Sequence, residues 1–221
     1  MSPNRVNVTR ILSTPVPMLV PDAGPVHVLI IGEAPGPRGA DKSGIPFFGD
    51  AAGRHLYTAL VRLGAVVLPP EVDTLPWDGA EFTAAGLAPA ATGIALGNAF
   101  DRCPSDDGHS FRAPLRTELE STRNIARLNR DLDALAARGL KGIVTLGRVA
   151  TRTFDVLLKQ TPRPTQARRS LPHPSAQGLL SMAPDRGKGA RMADLQEAWM
   201  VRCEYALAQA GDPVRAPLAQ S

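Results

Sequence analysis

A chain of 221 residues with 43% hydrophobic content and a mean hydropathy of -0.09 can bury a sizeable core and is too apolar to be disordered. Its net charge of +4, with a pI near 9.5, is a mild basic excess that permits a polyanionic partner without demanding one. Two cysteines, Cys103 and Cys203, far apart and in no CxxC spacing, exclude a disulfide scaffold and a four-cysteine metal site, and no stretch approaches the roughly 18 apolar residues of a membrane span. Prolines break the apolar run of the N-terminal stretch MSPNRVNVTRILSTPVPMLVPDAGP, so no signal peptide is expected there and a reducing cytoplasm is the expected compartment.

In chain order, VHVLIIG (26–32) reads as a buried parallel strand, because its nearly continuous apolar run lacks polar alternation. It runs into Gly32-Glu33-Ala34-Pro35-Gly36, and a Gly-Ile-Pro-Phe-Phe-Gly segment follows at 44–49. AGRHLYTALVRLGAV (52–66) reads as a helix with Leu56, Leu60 and Leu63 on one face. Residues 67–90, rich in Pro, Gly and Ala, read as an irregular excursion, and GIALGNAF (93–100) as a second strand. CPSDDGHSFRAP is a loop, since turn residues run throughout it. RTELESTRNIARLNRDLDALAARG (116–139) reads as one long amphipathic helix ended by Gly139. KGIVTLG (141–147) is a third buried strand and RVATRTFDVLLK a further helix. The stretch 160–172 is Pro- and Arg-rich, PHPSAQGLL ends in a loop, and RMADLQEAWMVRCEYALAQA closes the domain as a helix before a frayed tail at 211–221. Alternating strands and helices predict an α/β fold: one domain over residues 1–210, three layers α/β/α, with a central, mainly parallel four-stranded sheet.

In open α/β sheets, ligands bind outside the carboxyl ends of the strands. Glu33, Asn98 and, if a strand leads to it, His173 follow three such ends, so three polar residues far apart in sequence are expected in one crevice. Each has a plainer reading alone: Glu33 in a solvated turn, Asn98 as a turn former, His173 in an exposed loop, and Phe47 and Phe48 as core residues. Neither a GxGxxG fingerprint nor a P-loop is present, which removes those two routes to nucleotide binding. Arg163, Arg168 and Arg169 precede Pro-His-Pro-Ser, while Arg186, Lys188 and Arg191 follow it, a basic collar suited to a phosphate backbone.

The joint order of these motifs resembles the uracil-DNA glycosylase superfamily over roughly residues 26–180. The carriers are Gly-Glu-Ala-Pro-Gly after the first strand, Gly44-Ile45-Pro46-Phe47, GDAAGRHLYTAL, GNAFDRCP, IVTLG and HPSAQ. The resemblance is to the family 4 and family 5 branches, which otherwise carry an iron-sulfur cluster. It implies a pocket in which Phe47 stacks on an extruded base, with Gly32 and Ala34 at its wall. Asn98 would read the O4/N3 edge of uracil, and His173 would donate to O2 of the departing anion. Glu33 or Asp50 would hold the attacking water; Asp50 also suits a helix N-cap. Pro35, Ser175, Gln177, Arg168 and Arg169 would contact DNA, with the 177–180 segment wedging into the gap left by the base. Arg168 and Arg169 would also help to keep His173 neutral.

The related branches hold their cluster with four cysteines, of which Cys103 alone has a counterpart here; Ser121 or Thr122 stands where the last is expected. The expectation is therefore no cluster, no metal and no other cofactor. The expected partners are uracil-containing DNA and the abasic-site product, with no membrane, for a monomeric hydrolase. Two readings compete with it: a lesion- or abasic-site-binding relative with little turnover, and an unrelated small-molecule enzyme on a doubly wound sheet.

Overall fold

The first strand, β1 (Val26–Gly32), is buried at six of its seven positions because both of its faces are covered. Val28 and Ile30 pack into a cluster with Leu56 and Leu60 of α2 (Ala51–Arg62) and with Trp199, Cys203 and Leu207 of α8 (Met192–Gly211). Leu29 and Ile31 point the other way. They meet Leu128, Leu132 and Leu135 of α5 (Thr122–Ala137) and Phe154 and Leu157 of α6 (Arg148–Gln160). A strand with period-two geometry and two apolar faces needs an unbroken apolar run, which is what VHVLIIG supplies. This computed structural model describes residues 14–105, 107, 110–163 and 167–211, without the side chains at 186 and 187. The Arg186 side chain and the tail beyond Gly211 lie outside the described residues.

Four strands form the sheet in the order β4-β1-β5-β6, all neighbours parallel, with β4 at Gly93–Asn98, β5 at Gly142–Leu146 and β6 at Ala167–Leu171. Helices cover both faces, so the expected α/β/α sandwich with a four-stranded parallel sheet is the observed fold. The segment before β1 runs antiparallel beside β4, Leu19 and Leu96 exchanging backbone hydrogen bonds of 2.9 Å, which covers that sheet edge. No helix among the described residues is long and apolar enough to cross a membrane.

Two local expectations need correction, and the conditional strand before His173 is present. The long helix at 116–139 is two: α4 (Arg116–Leu119) stops, and Ser121 caps α5, its hydroxyl accepting the Asn124 N–H at 3.3 Å. The Pro- and Arg-rich stretch ends in β6, an edge strand whose Arg168, Arg169 and Ser170 are exposed and so carry no apolar pattern. The loop after His173 contains a short helix, α7 (Ala176–Leu180), capped by Ser175. The excursion at 67–90 is organised as well. It contains α3 (Gly79–Ala84) and a two-stranded ribbon of β2 (Val66–Val67) and β3 (Ala90–Ala91), and brings Trp77 and Phe82 against Phe48 and Tyr57 in an aromatic cluster. A fourth short helix, α1 (Ala40–Ser43), lies in the loop after β1 and packs on α3.

Candidate active site

The register of the sheet carries the strand ends to one edge. Gly32 pairs with Asn98, and Leu146 pairs with Leu171, so Glu33, Asn98, Gly147 and Pro172-His173 all emerge at the carboxyl side. There a cleft of about 920 Å³ opens, lined among others by Glu33, Phe47, Asp50, Arg148, His173 and Ser175. Its position outside the carboxyl ends of parallel strands is where α/β sheets place ligands.

Phe47 and Asn98 meet over Gly32. A Cβ on Gly32 would lie 2.6 Å from the Phe47 ring and 3.0 Å from Asn98 Oδ1, so only glycine lets the ring and the amide close on one spot. Phe47 adopts φ of 64°, a left-handed conformation unusual for a bulky residue and of the kind held in place by its surroundings at functional sites. The surroundings are evident. Phe48 is locked in the aromatic cluster behind it, the Tyr57 hydroxyl donates to Pro46 O at 2.9 Å, and Ser43 Oγ donates to Phe48 O at 2.7 Å. The paired aromatics therefore divide their labour: Phe48 anchors the loop and Phe47 lines the cleft.

Asn98 is 4% exposed, and its Nδ2 is buried with no hydrogen-bond partner. A buried amide donor without a partner costs on the order of 1–3 kcal/mol, and Asn98 itself is not among the residues that line the cleft. The backbone beneath it is held tightly. Arg127 donates to Asn98 O at 3.2 Å and to Ala99 O at 2.9 Å, and Asn124 Nδ2 donates to Ala99 O at 2.9 Å. Arg127 escaped notice in the sequence because it sits in a helix rich in charged residues; only the fold reveals that it faces inward.

Asp50 occupies the N-cap position of α2 by its backbone, but its carboxylate makes no cap hydrogen bond. It turns instead towards the loop after β1, accepting backbone N–H groups of Ala40, Gly36 and Gly39, the first at 3.3 Å. A Cβ at Gly36 would lie 2.4 Å from Asp50 Oδ1, which is why this loop needs glycine there. Burial nevertheless raises the Asp50 pKa to about 6, with Asp41 nearby adding to the effect and the three N–H bonds opposing it. Glu33 is half-buried, and burial raises its pKa above the usual carboxylate value. Among the described residues its carboxylate has no hydrogen-bond or ion-pair partner, whereas that of Asp50 is already engaged by the loop.

The Asp50 shift has a consequence for stability. An acid whose folded-state pKa is raised favours the fold while protonated, and that contribution is lost as pH climbs through the folded value. Wild type is therefore expected to lose stability relative to Asp50→Asn between about pH 4 and pH 6, by roughly 3 kcal/mol at most, and the difference is expected to stay level above that. Urea denaturation of both proteins across pH 4–8 measures it; a difference that does not change with pH contradicts the burial of this carboxylate.

His173 is half-buried, and desolvation alone lowers its pKa, leaving a neutral imidazole near pH 7. Its Nδ1 accepts the Ser175 N–H at 3.3 Å, so the proton resides on Nε2, which becomes a donor. Arg168 and Arg169 do not enter this account: Arg168 pairs with Asp155 at 2.9 Å and Arg169 donates to Gln209 Oε1 at 2.9 Å. Neither lines the cleft, and Arg163 is bound to Asp133 and Asn129. Of the expected collar, Arg163, Arg168 and Arg191 are in ion pairs with Asp133, Asp155 and Asp194, Arg169 is held by Gln209, and Lys188 is exposed. The expected wedge also changes. Leu179 is 1% exposed and packs into the core, while Gln177 is exposed and lines the cleft beside Ser175, whose hydroxyl accepts the Gly178 N–H at 3.4 Å. Gly32 ends β1, Pro35 belongs to the loop that follows it, and Ala34 lines the cleft.

Four thiolates would be needed to hold an iron-sulfur cluster, and the chain has two cysteines. Both are buried and unbridged, Cys203 inside α8 and Cys103 in the loop after β4. These residues do not fit such a group. A model of the Uracil DNA glycosylase superfamily matches residues 21–199, from just before β1 into α8. No curated protein matches the chain.

Proposed function

The chain belongs to the uracil-DNA glycosylase superfamily, a family of DNA glycosylases, and from that membership we propose that it hydrolyses the N-glycosidic bond of uracil flipped out of DNA, leaving an abasic site. The observation that carries the uracil reading is the unpartnered, buried Asn98 amide facing Phe47 across Gly32. A base extruded from the helix stacks on Phe47, and such stacking is worth roughly 1–3 kcal/mol. Asn98 Nδ2 donates to uracil O4 while Oδ1 accepts from N3–H. Cytosine offers an amino group at C4 and a bare N3, so donor faces donor and acceptor faces acceptor, and discrimination follows.

Breaking the bond sends its electron pair to uracil N1, leaving an oxocarbenium-like sugar and a uracil anion whose charge spreads to O2. His173 Nε2–H is the preorganised donor to that oxygen; a neutral imidazole retains its proton and needs no reorganisation. Glu33 receives the water, since its carboxylate is unengaged and raised in basicity by burial. The water oxygen bonds to C1′, one of its protons passes to Glu33, and the uracil anion is later protonated from solvent. Asp50 shapes the loop that presents Glu33, and its carboxylate lines the same cleft. Ser175 and Gln177 contact the backbone beside the flipped nucleotide.

Labelled oligonucleotides carrying uracil, hypoxanthine, cytosine or a mismatched thymine, incubated with the protein and then treated with alkali, test this reading. Cleavage at uracil and not at cytosine is the expected pattern. A stable complex with no cleavage would replace it with the lesion-binding reading, and no response to DNA would end both.

A further inference from the structure

Two side chains on the cleft wall are unaccounted for by the chemistry above. Phe111 is 47% exposed, whereas the other five phenylalanines, Phe47, Phe48, Phe82, Phe100 and Phe154, are all at or below 6%. A ring left half in water is normal for a surface, but among the large exposed apolar residues described, Phe111 is the one that lines the cleft. Arg148, at the start of α6, is exposed on the same wall and, among the described residues, is the single Lys or Arg that lines it; its guanidinium has no ion-pair or hydrogen-bond partner there. The contrast with Arg163, Arg168 and Arg169 is direct, since those three are engaged by Asp133, Asp155 and Gln209.

We propose that Phe111 and Arg148 form the DNA-holding rim of this cleft: Phe111 stacks against the base pair exposed when the nucleotide leaves the helix, and Arg148 binds a backbone phosphate beside it. This rests on the DNA glycosylase reading. Extruding a nucleotide opens a gap whose walls are the π-faces of the neighbouring bases, and enzymes that unstack DNA fill such gaps with apolar or aromatic side chains. Leu179 and Leu180 cannot serve, the first being in the core and the second packed against it. Phe111 needs no rearrangement of the core to reach out, and a guanidinium at the cleft suits the forked geometry of phosphate oxygens.

The two residues separate in their readouts. Duplexes with uracil opposite guanine and 2-aminopurine next to the uracil report extrusion by fluorescence, and binding titrations from low to high salt report phosphate contacts. Phe111→Ala is expected to lower both the extrusion signal and the single-turnover rate on duplex roughly 5- to 150-fold with an unchanged salt slope, and Phe111→Trp to restore both. Arg148→Ala is expected to reduce the slope of log K against log salt by about 0.9, with Arg148→Lys keeping it. Wild-type extrusion signal, affinity and slope in both alanine variants would overturn the proposal. If wild-type protein releases no base at all, the proposed function falls, and the affinity and salt-slope measurements still decide the rim separately.

Discussion

His173→Ala is expected to lower the single-turnover rate of uracil release on the order of 10²–10³, with DNA affinity nearly unchanged, because removing one preorganised donor to a developing anion typically costs that much. The geometry makes the role specific. With Nδ1 accepting from Ser175 and Nε2 carrying the proton, the ring is fixed as a neutral donor, and burial keeps it neutral below the ordinary histidine range. The acid limb of the rate profile is therefore expected to survive in His173→Ala, since it belongs to the carboxylates and not to the imidazole. Rapid-quench kinetics from pH 5 to 9 measure both quantities. A wild-type rate in the variant, or a loss of DNA binding as large as the loss of rate, would contradict the assignment.

Glu33→Gln is expected to slow the chemical step on the order of 10²–10⁴, the usual contribution of a positioned base. Glutamine keeps the size and the hydrogen-bonding reach of the residue, so loss of rate with normal folding isolates the carboxylate charge. Asp50→Asn is expected to cost less, because an amide oxygen can still accept from the loop at Gly36–Ala40 and keep it in place. If the two carboxylates share the water, the double variant is expected to lose far more than either alone, since groups that act as a unit are not additive. Ionisation of Asp50 near pH 6 predicts a rate that climbs through that pH in wild type and climbs less steeply in Asp50→Asn. Equal rates for wild type and Glu33→Gln would move the water to Asp50.

Much of the fold was legible because burial on two faces leaves a simple trace. VHVLIIG, GIALGN and GIVTL are apolar runs with glycine at their margins, and each is a strand of the parallel sheet. ARRSL is a strand of the same sheet, but as an edge with three exposed polar residues it carries no apolar pattern, so a strand before His173 could be posed only as a condition. The surroundings of Phe47 and Phe48 were equally hidden. Both rings join the core cluster, and Phe48 is held there by Trp77 and Phe82, brought in from an excursion with no periodic pattern of its own. That the strands leading to Glu33, Asn98 and His173 end at one edge, with Glu33 and His173 lining the cleft there, followed from the rule that ligands sit at carboxyl strand ends, whereas Phe111 and Arg148 needed the fold, because loop and helix-start residues carry no such mark. The surroundings of the arginine collar were hidden for a physical reason. Arg168 and Arg169 lie beside His173 in sequence, yet the partners that engage them, Asp155 and Gln209, come from helices elsewhere in the chain.

Free base released from a uracil-containing duplex, quantified by chromatography and mass spectrometry against alkali-labile sites in the same sample, tests the central claim most directly. The account predicts one free uracil for every abasic site formed, with none from a matched cytosine duplex. Alkali-stable DNA with no free uracil, whether or not the protein stays bound to it, would contradict it.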